Sequence, residues 1–168
     1  MLGKGPDGHV LRDGDPVIAD LVGGHEGYLA DQTRTFAVGE LAPDLRRAYD
    51  VCVEILRATE AALRPGAIPS ELHAHSEDVA GEAGLAEHFM GHGPQRVRFL
   101  GHGVGLEIDE LPILAPGFDE PIEQGNVIAV EPKMVFPGRG AVGIENMYAV
   151  TADGFETITT ANEELIET

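Results

Sequence analysis

The stretch NVIAVEPKMVFPGRGAVGIENMYAVT, residues 126–151, decides the fold. Its two arms are rich in Val, Ile, Ala and Met, and the turn-forming sequence PGRG separates them. A turn centred on Gly138 pairs residues whose numbers sum to 276, so that Glu131 faces Glu145. The sequence therefore predicts a β-hairpin that presents two acids side by side within apolar strands.

An earlier pair of segments predicts a second hairpin of the same kind. Residues 15–21 (DPVIADL) and 28–38 (YLADQTRTFAV) have strand composition, and a glycine-rich turn lies between them. A turn centred between residues 25 and 26 gives partners that sum to 51, so that Asp20 faces Asp31. Like charges opposite each other are destabilising, and an unpaired carboxylate among apolar residues is costly. Four such acids on two hairpins indicate a site for one or two divalent cations.

The middle of the chain predicts two helices and irregular connections. A helix beginning at Pro43 and running to about Leu63 would bury one apolar face, formed by Leu45, Tyr49, Cys52, Leu56 and Leu63. A second helix fits residues 70–83, with Ser70 as its N-cap. The glycine-dense residues 91–105 indicate loop and short strand, and three prolines make residues 112–121 an extended connection. The class is therefore mixed α and β.

Composition excludes several classes of protein. The 168 residues carry 11 basic and 29 acidic side chains, a formal charge of −18, so no basic face is available for nucleic acid or an anionic membrane. The single cysteine, Cys52, excludes a disulfide framework and a Cys-rich zinc module, and core packing is its expected role. No apolar run approaches 18 residues, so we expect no membrane span and a cytoplasmic location.

Two histidines are candidate metal ligands because each lies between glycines, which allow close approach of a ligand or substrate. They are His102 in FLGHGVGLEIDE and His92 in MGHGPQ, and the pattern alone leaves both open. An imidazole beside carboxylates favours Mn, Fe, Co or Zn. The remaining histidines lack such a context, and we expect them at the surface: His9, His25, His73, His75 and His88.

Four segments, in this order, resemble those of the pita-bread metallopeptidases, the creatinase and methionine aminopeptidase superfamily or peptidase family M24. They are GDPVIADLVGGHEGYLADQTRTF, GHGVGLEIDELP, VIAVEPK and GAVGIENMYAVT. The sequences of these segments are most similar to those of the Xaa-Pro aminopeptidase and prolidase branch. The resemblance implies an α+β pita-bread fold with an amino-terminal truncation. Residues 1–168 would then be a single metallopeptidase catalytic domain, the carboxy-terminal portion of the family's catalytic domain.

The same resemblance implies a ligand set and a reaction. Asp20 would bind one divalent ion, Asp31 and Glu145 would bridge both ions, and His102 and Glu131 would complete the second site. His102 and Glu131 are the implied catalytic residues, with Glu131 handling the proton of a metal-bridged hydroxide that attacks the scissile carbonyl. The implied activity is removal of the amino-terminal residue from Xaa-Pro peptides or dipeptides. Manganese is the first expectation, with cobalt, zinc or iron as alternatives.

One position departs from the family pattern. Asp109 stands where the peptidases usually place a second histidine, and an ionised aspartate cannot donate a hydrogen bond to the substrate. Asp109 is therefore one candidate substrate-binding residue. His92, the second histidine between glycines, is the other candidate. Two other functions stay open: hydrolysis of a non-peptide amide or amidine on the same fold, and a non-catalytic peptide-binding or protein-binding module. The resemblance also suggests a homodimer.

Overall fold

A computed structural model of the chain describes Gly8 and residues 10–168. Within them, ten strands and two α-helices follow one another, with a 3₁₀ turn at Gly93–Gln95. The helices are α1 (Pro43–Ala62) and α2 (Pro69–Glu82). The strands are β1 (Pro16–His25), β2 (Tyr28–Ala37), β3 (Gly101–Gly103), β4 (Glu110–Leu114), β5 (Val127–Val130), β6 (Lys133–Phe136), β7 (Gly140–Gly143), β8 (Asn146–Val150), β9 (Phe155–Thr157) and β10 (Ile166–Glu167).

The described strands form three sheets. Their orders are β1-β2-β10, β4-β3-β5-β8-β9, and the pair β6-β7. Helix α1 packs against α2 and against the β6-β7 pair, while α2 packs against β4. The core between them includes Cys52 and Leu56 of α1 and Val142 of β7, all fully buried. The expected core role of Cys52 is therefore confirmed, and helices and sheets mix as predicted.

The two helices begin at proline, because proline has the backbone φ of a helix and no N–H to leave unpaired at the first position. The prediction for α1 is correct at both ends to within one residue, and its predicted apolar face is buried. The N-cap prediction for α2 is wrong: Ile68 is the N-cap. Ser70 lies inside the first turn, and its hydroxyl donates to Asp119 at 2.5 Å.

The later hairpin has the predicted register but is divided between two sheets. Val130 pairs with Asn146, and Lys133 pairs with Gly143, so both sets of partners sum to 276. Between these pairs the Ile144 amide donates to the Pro132 carbonyl at 3.2 Å, but Pro132 has no N–H to return the bond, and the strands are interrupted there. The Glu131 amide points to the other side, where it donates to the Leu100 carbonyl at 2.9 Å. What the sequence presented as two continuous strands is therefore four, and an acid lies at each break.

The first hairpin is longer than predicted, and its register differs by two residues. Strand β1 continues to His25, and the tight turn consists of Glu26 and Gly27, both with positive φ. This is the geometry of a two-residue hairpin loop that matches strand twist. Partners sum to 53, so Asp20 faces Thr33 rather than Asp31. A shift of two keeps every side chain on its predicted face.

Two strands escaped the sequence analysis. Strand β4 contains a proline, Pro112, where only an extended connection was expected. It lies at the edge of the five-stranded sheet, where a missing N–H leaves no ladder bond unmade. The two-residue β10 pairs in parallel with β2, Ile166 beside Phe36, and carries no sequence signal of its own. In the described part of the chain, neither helix has the length and apolar character needed to cross a bilayer.

Candidate metal centre

Three of the five proposed ligands lie together in the interior. Asp31 is on β2, His102 is on β3, and Glu145 directly precedes β8. One potential ligand atom from each lies within 4.8 Å of the others, and all three residues are buried. Three different segments of the chain therefore converge on one small volume.

Glu131 joins this cluster through His102. Its Oε1 lies 3.4 Å from the Nε2 of His102, while the Nδ1 of the same ring lies 3.1 Å from the carbonyl oxygen of Gly103. When Nδ1 donates to that carbonyl, Nε2 presents a lone pair towards the carboxylates, which is the usual arrangement of a metal-binding histidine. The structure therefore places His102 beside Glu131 as well as beside Asp31 and Glu145.

The glycines around His102 serve the sheet rather than a ligand. A Cβ on Gly101 would lie 2.1 Å from the carbonyl oxygen of Ala129, and one on Gly103 would lie 2.5 Å from that of Leu111. Strand β3 therefore accepts no side chain next to His102, because the neighbouring strands β5 and β4 approach too closely. This close packing fixes where the imidazole emerges.

Asp20 differs from the expectation of a buried acid. It is exposed, because β1 is an edge strand of its sheet. It nevertheless interacts with Asp31, two residues along the opposite strand from its partner Thr33. Burial first, and then repulsion from Asp20 and a hydrogen bond with it, raises the pKa of Asp31 to about 6.

The chemistry of the cluster fits a divalent cation. Among the residues that the structure describes, Asp31 Oδ1 is the one fully buried side-chain nitrogen or oxygen that has no hydrogen-bond partner. A buried carboxylate oxygen without a donor is costly unless a cation accepts its lone pairs. The donor set, carboxylates plus an imidazole, is one that Mn, Fe, Co and Zn all accept.

Two residues that support the cluster were not singled out by sequence. The Thr33 hydroxyl donates to Glu145 Oε2 at 2.8 Å, and the Glu145 amide donates to the Thr33 carbonyl at 3.1 Å. Lys133 forms an ion pair with Glu131 Oε2. Both could have been found, because each lies two residues from a predicted ligand and so on the same face of a strand. A buried acid of the cluster therefore has a lysine partner.

Arg34 holds the backbone around Glu145 in place. Its buried guanidinium donates to the carbonyls of Thr33 and Glu145 at 2.8 and 2.7 Å, and to Asn146 Oδ1 at 2.8 Å. Two further donors meet the carbonyls of residues 161 and 162, each at 2.8 Å. A single side chain thereby joins β2, the break before β8 and the segment that leads to β10.

The proposed substrate-binding residues lie in different places. Asp109 is exposed, and its Oδ1 lies 3.5 Å from His102 Nδ1, so it borders the cluster. His92 lies instead beside Glu87, whose carbonyl is 3.2 Å from its Nδ1, and beside the ring of His88. The structure therefore brings Asp109 to the site and does not bring His92 there.

The surface expectation for the other histidines is only partly correct. His25 and His75 are exposed, whereas His9 lies outside the described residues. His73 is buried on α2, and burial lowers the pKa of its ring. His88 is half-buried and stacks on Phe136 with ring centroids 4.1 Å apart.

The ionisable groups of the cluster shift one another's pKa values strongly. Burial, then repulsion from Glu131 and Asp31, raises the pKa of Glu145 to about 8. Burial opposes the charge of His102, but contacts with Glu131, Gly103 and Asp109 outweigh it and raise its pKa to about 9. Burial also disfavours the charged form of Glu131, but a hydrogen bond with His102 and attraction to Lys133 outweigh it and lower the pKa of Glu131. Burial disfavours the charged form of Lys133, but attraction to Glu131 outweighs it and raises the pKa of Lys133.

These shifts predict an unusual pH dependence in the presence of a chelator. Asp31, Glu145 and His102 all hold protons more tightly in the folded than in the unfolded chain. The free energy of unfolding is therefore expected to fall as pH rises from about 6 to about 9. Thermal unfolding in EDTA at each pH measures it, and added Mn²⁺ should reverse the trend because ligands bind metal deprotonated. A melting temperature that rises with pH in EDTA would contradict the expectation.

Comparison with known proteins connects this cluster to one family. The model of metallopeptidase family M24 matches residues 2–152. The chain belongs to family M24. The resemblance inferred from the four sequence segments is thereby confirmed.

Individual M24 relatives agree over almost the whole chain. It is 36% identical to the probable dipeptidase PepE of Mycobacterium tuberculosis, over 99% of this chain and 45% of the relative. It is 35% identical to the Xaa-Pro dipeptidase of Lactobacillus delbrueckii subsp. lactis, over 96% and 42%. The crystal structure of dipeptidase PepE from Mycobacterium ulcerans superposes with a TM-score of 0.85 at 35% identity, over 94% and 41%.

The comparisons also give the fold of the chain and the share of its relatives' length that it covers. The M24 chain has the predicted pita-bread fold, and it spans less than half the length of the curated relatives it matches. M24 is a family of metallopeptidases, which agrees with a donor set suited to divalent metal.

Proposed function

We propose that this chain is the ligand-bearing portion of a metal-dependent hydrolase that cleaves Xaa-Pro dipeptides or removes the amino-terminal residue of Xaa-Pro peptides. The observation that carries the proposal is the convergence of Asp31, His102 and Glu145 around a buried carboxylate oxygen without a donor. Relatives named Xaa-Pro dipeptidase and probable dipeptidase support the substrate class.

In this proposal the site holds two divalent ions, and manganese is the metal expected first. The ligands are Asp20, Asp31, His102, Glu131 and Glu145. Bound divalent ions lower the pKa of water and polarise a carbonyl oxygen. Around them, the roles of this chain's residues follow from their contacts. Thr33 and Arg34 orient Glu145, and the Nδ1 contact with Gly103 orients His102. Glu131, whose carboxylate touches both His102 and Lys133, is the group we assign to proton transfer.

Metal analysis and a substrate panel test the proposal. Protein purified with Mn²⁺ or Co²⁺ should retain about two ions per chain and hydrolyse Xaa-Pro dipeptides faster than matched Xaa-Ala dipeptides. Longer Xaa-Pro peptides in the same panel separate dipeptidase from aminopeptidase activity. EDTA should abolish cleavage, and Mn²⁺ should restore it. Protein that binds no divalent ion would refute the proposal.

Asp109 favours a second candidate function. It is an exposed acid beside His102, at a position where it accepts rather than donates hydrogen bonds when ionised. Such a residue suits a cationic substrate, including an amidinium group. Creatine-like amidines therefore belong in the substrate panel, and their cleavage in preference to every peptide would establish the alternative. Metal binding without hydrolysis of any substrate would instead favour a binding module.

A further inference from the structure

A groove lies beside β4, at the edge of the five-stranded sheet. It has a volume of about 590 Å³, and its apolar lining includes Leu111, Pro112 and Phe118. Leu111 is 70% exposed and Phe118 is 36% exposed, so large apolar side chains face solvent there. Ligand pockets commonly have volumes of about 300–1,000 Å³, so the groove has room for a few residues of an extended peptide.

A bulge in β4 places Leu111 in this groove. Strand β3 pairs with β4 on both sides of residues 111–112, but these two residues have no partner on β3. They lie at the edge of the sheet, where β4 has β3 as its one neighbouring strand. Extra residues of this kind bend a strand and re-aim its side chains. The bulge therefore turns Leu111 away from the sheet and into the groove.

The groove begins beside the metal cluster. Asp109 borders the cluster, with its Oδ1 3.5 Å from His102 Nδ1, and Leu111 follows Asp109 by two residues. Two residues of extended chain span at most about 7 Å. An enzyme that removes one amino-terminal residue has only that residue on one side of the scissile bond, so the rest of the peptide extends away from the metal. The groove lies within reach of that remainder.

The charges around the groove have one sign. Its lining includes the exposed acids Asp119, Glu120 and Glu123, and the described residues that line it include no Arg, Lys or His. Asp119 also accepts the hydrogen bond of the Ser70 hydroxyl, and Asp109 adds a further carboxylate on the side of the cluster. Such a field attracts a cationic ligand and repels an anionic one, including the free carboxylate of a dipeptide.

We propose that this groove binds the part of a peptide substrate that follows proline, and that it selects an apolar residue followed by a basic one. The proposal rests on the proposed function and narrows its substrate class. The preferred substrates are Xaa-Pro peptides longer than two residues with a cationic segment after proline, and dipeptides are poorer substrates. Leu111 and Phe118 contact the apolar side chain, and the acids of the groove attract the basic one.

Two matched substrates, Ala-Pro-Leu-Lys-NH₂ and Ala-Pro-Leu-Glu-NH₂, test the groove beside the dipeptide Ala-Pro. The full chain loaded with Mn²⁺ should cleave the lysine peptide with a kcat/KM at least about threefold above that of the glutamate peptide, because several exposed charge pairs contribute modestly. The dipeptide should be cleaved more slowly than the lysine peptide. About 1 M NaCl should remove the preference for lysine, because salt screens exposed charges.

Variants separate the charge of the groove from its apolar lining. In E120K/E123K the order of the two longer peptides should reverse. L111S should lower kcat/KM for both of them and leave their ratio unchanged, because Leu111 contacts the apolar residue they share. The control is E156K, which adds the same kind of charge on the exposed surface of β9 and should keep the wild-type ratio.

An NMR titration of isotope-labelled protein in EDTA separates binding from catalysis, since a metal-dependent hydrolase does not cleave the peptides there. The lysine peptide should shift the amide signals of Leu111 and Phe118 and bind more tightly than the glutamate peptide. Selective binding without cleavage in Mn²⁺ would support the groove and refute the proposed function. Cleavage of both peptides at equal rates would overturn the groove and leave the hydrolase standing. Signals that do not shift with either peptide would also overturn the groove.

Discussion

Replacing Glu145 by glutamine is expected to weaken metal binding by more than about 100-fold, since even residues that merely orient ligands cost 10–100-fold. The same variant should melt at a higher temperature than the wild type in EDTA at pH 8. The reason is that burial and neighbouring acids disfavour the charge of Glu145, and glutamine is neutral and nearly the same size. Glutamine also offers an oxygen to the Thr33 hydroxyl, so the existing hydrogen bond is kept.

Calorimetric titration with Mn²⁺ and thermal unfolding in EDTA measure the two effects on one sample. Glu156→Gln is the matched control, because Glu156 is an exposed acid on β9, and it should change neither quantity. A loss of metal together with a loss of stability would show that Glu145 has a structural role that the cluster geometry does not explain. Full metal affinity in Glu145→Gln would remove Glu145 from the ligand set.

Replacing Arg34 by methionine is expected to lower the free energy of unfolding by about 3–5 kcal/mol, the range for breaking a buried charged network. The buried guanidinium donates to four carbonyls and one side-chain oxygen. Methionine fills similar space but leaves those acceptors without their donor, and each buried unsatisfied group is costly. The free energy of unfolding of Arg34→Lys should fall between those of the wild type and Arg34→Met, because an ammonium has fewer donors than a guanidinium and no planar fork.

Urea unfolding of the two Arg34 variants beside Arg139→Met gives the measurement. Arg139 forms an exposed ion pair with Asp44, and its loss should cost less than about 1 kcal/mol. A cost for Arg34→Met no larger than for Arg139→Met would mean that the guanidinium does not hold β2, β8 and the following segment together.

The difference between the two hairpins shows what sequence can predict of register. In the later hairpin, Pro137 and Gly138 admit one turn, and the predicted pairing is the observed one. In the earlier one, Gly23, Gly24 and Gly27 allow several turn positions, and the observed turn is one residue further along the chain. The error does not move any acid to the other face, because faces alternate with a period of two.

The burial of side chains and the contacts between residues far apart in the sequence were harder to predict from the sequence. Asp20 lies in an apolar segment, yet it is exposed because β1 is an edge strand, and edge position depends on the whole sheet order. His73 is buried through the packing of α2, which its own neighbours in sequence do not reveal. The contact of Lys133 with Glu131 was accessible from their spacing of two in the predicted strand, whereas the interruption of that strand between Val130 and Lys133 was not predicted.

The breaks in the later hairpin determine how far the backbone of the proposed centre depends on the side chains it carries. The amide of Glu131 bonds to Leu100, just before the strand of His102, and the amide of Glu145 bonds to Thr33, on the strand of Asp31. Main-chain hydrogen bonds therefore set the spacing between these proposed ligand positions, whatever side chains the positions carry. We expect single substitutions at the proposed ligands to leave this backbone frame unchanged.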